Sequence, residues 1–204
     1  MARYRGPRIR ITRRLGELPG LTSKETRRNF PPGQHGPNKT GRKTTSEYGL
    51  RLQEKQKLRY NYGVSEKQLF NYVKEARRLK GATGTLLLQL LEMRLDTLVF
   101  RAGFAPTIPA ARQLVNHGLI NVNGTRVDIP SFQCEPSDVI SIKEKVGVRN
   151  LVSNTFSVTS SRPLPFHLEL DQKSFTAKVN NFVSREDVSL NINELLIVEF
   201  YSRK

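Results

Sequence analysis

The sequence has no tryptophan, two methionines and a single cysteine, Cys134. One cysteine excludes a disulfide framework and a cysteine-built structural zinc site. No stretch approaches the roughly 18 consecutive apolar residues of a membrane helix. The first fifteen residues carry six arginines and no apolar block, so they do not read as a secretory signal. A soluble protein of a reducing compartment is the expectation. Acidic residues are also scarce, and the scarcity is local. Residues 1–80 hold 21 Lys+Arg against 6 Asp+Glu, whereas residues 81–204 hold 13 against 12.

What is present is therefore a formal net charge of +16, nearly all of it in the first two fifths of 204 residues. That length suits one large domain or two small ones and is enough to bury a core. The basic segment repels itself unless something negative neutralises it, and a polyphosphate backbone is the natural partner. An anionic membrane surface competes poorly, because the segment lacks a bulky apolar helical face. A disordered solubility tail fits less well, since the segment is not low-complexity and contains helix-forming stretches.

Residues 1–45 are punctuated by eleven glycines and prolines from Gly6 to Gly41. That spacing predicts an extended arm, without a core of its own, ordered mainly by its partner. Arg3, Arg5, Arg8, Arg10, Arg13 and Arg14 would track phosphates. Tyr4 would stack on a base or pack on protein. Residues 46–60 read as a helix on which Arg51, Lys55 and Arg59, four apart, share a face along a phosphate backbone. The competing reading of that stripe is a solvated helix face. Ser65 followed by Gln68 predicts a capping box opening a helix to Lys80, with Leu69, Val73 and Ala76 as its core stripe and Gly81 as its stop. Lys74, Arg77, Arg78 and Lys80 fall on its exposed side, as RNA contacts or plain solvated charge.

Thr83-Gly84-Thr85 opens a leucine-rich helix, with a break near residues 92–94 and a new helix capped by Asp96. Thr107 reads as the N-cap of a further helix, with Pro109 in its first turn. After Gly118 the period changes to two. Ile120 and Val122, the Asn123-Gly124 turn, then Val127 and Ile129 predict a hairpin. Val139, Ile140 and Ile142 make another strand. Residues 153–161 read as a polar loop and 165–170 as a strand. Periodicity leaves 195–201 open between a buried strand and a short helix.

The residues Arg94-Leu-Asp, Phe100-Arg101-Ala-Gly-Phe, Ala111-Arg112-Gln-Leu-Val, His117-Gly and Val122-Asn123-Gly124 resemble a small RNA-binding module. It is shared by a small-subunit ribosomal protein, certain pseudouridine synthases, bacterial tyrosyl-tRNA synthetases and a heat-shock ribosome-rescue protein. Arg94, Arg101 and Arg112 are expected on neighbouring helical surfaces, beside His117 and the Asn123-Gly124 turn. The flanks choose among these proteins. Met1-Ala-Arg-Tyr-Arg-Gly-Pro, Pro32-Gly-Gln-His-Gly36, residues 52–59, Tyr62-Gly-Val, Tyr72-Val-Lys-Glu-Ala, Thr83-Gly84 and residues 193–202 resemble small-subunit ribosomal protein four of the bacterial and organellar type. Only residues 147–190 match weakly.

The resemblance implies an α+β protein. Its parts would be an extended basic rRNA-binding arm (1–45), a helical lobe (46–92, joined by 193–204), and the module of helices packed on a small antiparallel sheet (93–153). A strand-containing extension of the module lobe (154–192) follows. It implies a primary rRNA-binding protein at the five-helix junction in the 5′ domain of small-subunit rRNA. Such a protein nucleates assembly and, beside ribosomal proteins three and five where mRNA enters, influences translational accuracy. Some bacterial members also repress their own mRNA. With the motifs come further rRNA-binding residues: Gln34, His35, Lys57, Lys80, Thr85, Gln113, His117 and Asn123. His35 reads as an RNA or backbone hydrogen-bond partner rather than a metal ligand.

Some relatives carry arm cysteines that hold zinc or an iron–sulfur cluster. Residues 1–133 contain none, so neither metal nor cofactor is expected. Residues 13–21, 90–94 and 200–204 look like cyanobacterial and plastid members. The family pattern begins at Met1, which leaves no room for a transit peptide and favours a plastid-encoded product over a cyanobacterium-like bacterium. The alternatives are an RNA-modifying enzyme or a stress factor built on the same module. The enzyme would need a catalytic domain, but the roughly 60 residues after the module show no nucleophile, metal or phosphate-loop motif. Glu169, Asp171, Glu186 and Asp187 read as scattered surface acids. The stress factor would place its basic tail after the module, not before it.

Overall fold

The computed structural model describes residues 4–28, 30–38, 46–159 and 163–202. Eight helices and five strands lie among them, an α+β architecture. The described residues of 1–87 with 190–204 form one compact unit, and residues 88–189 form a second.

In the first unit, α1 (Arg8–Leu15) corrects the expectation of a wholly extended arm. The eight residues between Pro7 and Gly16 are free of glycine and proline, which leaves room for two turns before Gly16, at φ 93°, ends them. Ile11, Leu18 and Leu21 are buried, and the Gly20 N–H donates to Asn61 Oδ1 at 2.9 Å.

Helix α2 (Glu47–Tyr62) opens on Ser46, whose side chain accepts from the Gly49 N–H, and closes on Gly63 in the left-handed region. Helix α3 (Glu66–Arg78) has the reciprocal Ser65/Gln68 capping box, with Leu69, Val73 and Ala76 fully buried. The open choice at 195–201 resolves as helix α8 (Glu194–Ser202). It packs along α2, burying Ile197, Phe200 and Tyr201 with Leu58 and Tyr62. The Asn193 N–H donates to Glu54 Oε2 at 3.1 Å and ties down its start.

Helix α4 (Thr83–Glu92) passes the boundary between the units. After the break, α5 (Leu95–Arg101) is capped not by Asp96 but by Arg94, which is extended and makes no side-chain cap bond. The Leu95 and Asp96 N–H groups donate instead to Phe132 O and Pro130 O. Helix α6 (Ile108–Asn116) follows the Thr107 cap, with its side chain accepting from the Ala110 N–H.

The sheet is antiparallel, in the order β2-β1-β3-β5-β4: β1 (Ile120–Val122), β2 (Thr125–Arg126), β3 (Val139–Ile142), β4 (Leu168–Asp171) and β5 (Thr176–Val179). Asn123 and Gly124, at φ 50° and 77°, make the primed turn of the first hairpin. That hairpin is shorter than expected, and Ile129 lies outside it and exposed.

The loop expected at 153–161 is corrected over 153–159 to the second half of α7 (Val146–Thr159), and 160–161 lie outside the described residues. Its polar residues satisfy themselves on the helix: Thr155, Ser157 and Thr159 donate to the carbonyls of Leu151, Asn154 and Thr155. Val152 and Phe156, four apart, supply the inward face, and Phe156 meets the rings of Phe104 and Phe175. The helix runs through 153/154, and β5 pairs directly with β3, so one sheet joins the module to its extension.

Candidate nucleic-acid interface

The arginines expected to read RNA are held by buried acids. Arg94 is 2 % exposed and donates from Nε and Nη2 to the two oxygens of Asp96, at 3.0 and 2.9 Å. Arg112 donates from Nε and Nη2 to Asp96 Oδ2, at 3.0 and 2.6 Å. Arg101 forks onto Glu92, at 2.9 and 2.5 Å, and reaches Ser189 Oγ at 2.6 Å. Asp96 and Glu92 are themselves buried. Buried carboxylates demand paired, hydrogen-bonded cations, and the planar arginine fork meets that demand in two directions at once. The surface position expected for Arg94 is thereby corrected. Together these pairs tie the end of α4 and the middle of α6 to α5.

The α2 stripe is likewise turned inward. Arg51 donates to Glu199 Oε2 of α8 at 2.6 Å and to Glu47 Oε2 at 3.0 Å. Lys55, 4 % exposed, donates to Glu66 Oε2 at 2.7 Å and lies 4.9 Å from the centre of the Phe200 ring. Burial alone would raise the Glu66 carboxyl, but hydrogen bonds from Lys55 and Tyr201 hold it below its ordinary value. Arg59 donates to Gln56 and covers the Tyr60 ring, and Lys57 pairs with Glu54. Spacing four gave these residues one face. The docking of α8 and α3 decided that much of this face is an interior seam rather than a phosphate track.

The arm is more open. Arg5, Arg8, Arg10 and Arg14 are exposed, while Arg13 donates to the carbonyls of Phe30 and Pro31 and folds residues 30–36 back on α1. Gly36 is obligatory there, since a Cβ would collide with the Pro31 carbonyl. Gln34 and His35 stand exposed at the tip. Tyr4 packs edge-on against Tyr60, ring centres 5.5 Å apart. Arg3 lies outside the described residues.

Lys80, Gln113 and His117 are exposed and Thr85 is half-buried. Asn123 is committed to the fold: it donates to Asp138 Oδ1 at 2.8 Å and accepts from the Val139 N–H at 2.9 Å.

Two groups of cations add to these: Lys74 and Arg77 were read from the sequence as RNA contacts or solvated charge, whereas Lys67, Arg126 and Lys143 drew no assignment. On α3, Lys67, Lys74 and Arg77 are exposed opposite the buried Leu69/Val73/Ala76 stripe. Their helical spacing was a usable signal. At one end of the sheet, the Arg126 guanidinium lies against the backbone of Gly118, where a Cβ would displace it. The Lys143 N–H donates to Leu119 O at 2.9 Å. His117, Arg126 and Lys143 thus surround the α6–β1 turn, gathered by strand register that sequence spacing does not reveal.

A family profile described as the ribosomal protein S4/S9 N-terminal domain matches residues 3–92, and one described as the S4 domain matches residues 93–140. The small ribosomal subunit protein uS4 of Picosynechococcus sp. is 61 % identical over 203 residues, covering 100 % of this chain and 99 % of that protein. Those of Thermosynechococcus vestitus and Nostoc punctiforme are 61 % and 59 % identical, covering both chains completely.

Proposed function

The chain belongs to the small ribosomal subunit protein uS4 family, and from that premise we propose how its surfaces divide the work of binding rRNA. It is a non-enzymatic ribosomal component with an rRNA-binding role. Most of the affinity comes from the exposed cations of the first unit: Arg5, Arg8, Arg10 and Arg14 of the arm, with Lys67, Lys74, Arg77 and Lys80 of α3. The second unit is nearly neutral and orients the protein through Gln113, His117, Arg126 and Lys143. Arg94, Arg101 and Arg112 are positioning residues: they hold the α4–α5–α6 scaffold that presents those groups.

The target is the five-helix junction of the 5′ domain, bound early so that later proteins add to a stabilised fold. Ribosomal protein five and incoming mRNA are its further neighbours, through which it contributes to accuracy. Its ribosome is a plastid one, with a cyanobacterium-like bacterium as the alternative. The division of labour rests on one observation. The surplus charge of the first unit stays exposed on the arm and α3, while the module's three arginines are engaged by buried carboxylates.

The test is binding to the 5′ domain of small-subunit rRNA, to tRNA and to a scrambled duplex of equal length, at one fixed moderate salt. Preference for the rRNA domain by about 10³ or more is expected, by analogy with specific over non-specific duplex binding. Equal binding to all three would overturn the proposed target.

A further inference from the structure

The open end of the β4–β5 hairpin holds two aromatic side chains in water. Phe166 is 93 % exposed and Phe182 is 57 % exposed. Leu168 pairs with Val179, and the Asn180 N–H donates to His167 O at 2.8 Å. The two phenylalanines therefore flank the hairpin just beyond its last pairing. One carboxylate, Asp187, ties the Phe166 backbone to Ser184, two residues beyond Phe182. The Phe166 N–H reaches Asp187 Oδ1 at 3.4 Å, while Ser184 donates to Asp187 Oδ2 from its N–H and hydroxyl at 3.2 and 3.0 Å. Phe166 is thus held exposed beside the folded hairpin rather than on a frayed end.

The charge at this end is opposite in sign to that of the chain. Glu169, Glu186 and Asp187 stand there against Lys178, across the ladder from Glu169, and Arg185, in a protein of net charge +16. The turn bearing Glu135 and Asp138 abuts the same hairpin end, through Ser137 N–H to Val179 O and Val179 N–H to Asp138 O at 2.7 and 2.9 Å. Exposed aromatics can stack on bases, but a rim of carboxylates repels a polyphosphate. The chemistry that fits both features is a planar cation. A guanidinium lies flat on an aromatic face and forks onto a carboxylate.

We propose that this hairpin end docks an arginine-rich segment of a neighbouring protein, with guanidinium groups over Phe166 and Phe182 and paired to Glu169 and Glu186. The surface goes beyond the rRNA contacts proposed above and does not depend on them.

The test titrates full-length protein with four labelled probes: an arginine-rich 12-residue peptide, its lysine and glutamine counterparts, and a 12-nucleotide single-stranded RNA. The arginine peptide should bind severalfold tighter than the lysine peptide, and the glutamine peptide should not bind. F166A/F182A should weaken the arginine peptide about tenfold, and E169Q/E186Q should weaken it to a similar degree. Because these side chains are exposed, thermal unfolding of both variants should match the parent, which separates lost docking from lost fold. Absence of arginine-peptide binding, or binding unchanged in F166A/F182A, overturns the proposal. So does RNA binding that requires the phenylalanines, or a self-association that F166A/F182A abolishes.

Discussion

Arg112 of α6 donates from both Nε and Nη2 to the same oxygen of Asp96 on α5, at 3.0 and 2.6 Å, while Arg94 occupies the carboxylate from the other side. Two guanidinium groups thus close on one acid that is fully buried. Replacing the acid removes the buried carboxylate that both guanidinium groups share. Asp96→Asn should cost about 3–5 kcal/mol of stability, read by chemical denaturation. Arg112→Lys should recover little of the loss caused by Arg112→Ala, because an ammonium cannot reproduce the fork. Full rescue by lysine would show that only charge matters at α5–α6. Discrimination between the rRNA junction and random duplex should fall in Arg112→Ala.

The arm and the α2 seam should separate in salt dependence. Replacing Arg8, Arg10 and Arg14 together by alanine should flatten the slope of log affinity for the 5′ domain against log salt. The change should be about 0.7–0.9 for each phosphate that the variant no longer neutralises. Lys55→Ala should instead leave the slope unchanged and lower stability by about 1–2 kcal/mol, a modest loss because Glu66 is partly solvated. The reverse pattern would place the phosphate track on α2.

His167 should make stability pH-dependent below neutrality. Burial lowers its pKa from the ordinary 6.5, against the upward pull of Asp187 and Glu92. Its ring lies 3.6 Å from Asp187, beyond hydrogen-bond length, and among the described residues neither ring nitrogen has a hydrogen-bond partner. Near pH 6.5 the unfolded chain takes up a proton that the native imidazole refuses. Stability therefore falls as pH drops from about 7 toward 5. The lowered carboxyl of Asp187 acts only near and below 3.8, in a separate window. Denaturation midpoints at several pH values should show a slope that His167→Phe removes. A slope that survives the substitution would assign it to other groups.

Cys134 should be silent toward thiol reagents in the native protein. It is 2 % exposed, and burial together with Asp138 pushes its thiol up to about 12. At pH 8 the native chain should react with an aromatic disulfide far more slowly than the chain in denaturant, since only the thiolate attacks. Equal rates would mean that the 133–135 segment opens readily.

Much of this protein is set by local chemistry. Ser65 and Gln68 cap a helix, Asn123-Gly124 turns a hairpin and Thr107 starts α6, because each acts within a few residues of itself. The segregation of charge between residues 1–80 and the rest is likewise a property of the chain alone. The family pattern extends from the arm to the last helix for the same reason. What the tertiary structure decided is which charges remain available. Arg51, Lys55 and Arg59 share a helical face on any reading, but the docking of α8 and α3 turned much of that face into a seam. Arg94 looked like a surface contact until the burial of Asp96 required it as a partner. Arg126 and Lys143 stand 17 residues apart and meet around Gly118 only through strand register. Helix α7 hid behind its hydroxyls, which bond to their own helix and leave Val152 and Phe156 to hold it on the core. Periodicity reports which residues share a face, and only packing determines what that face touches.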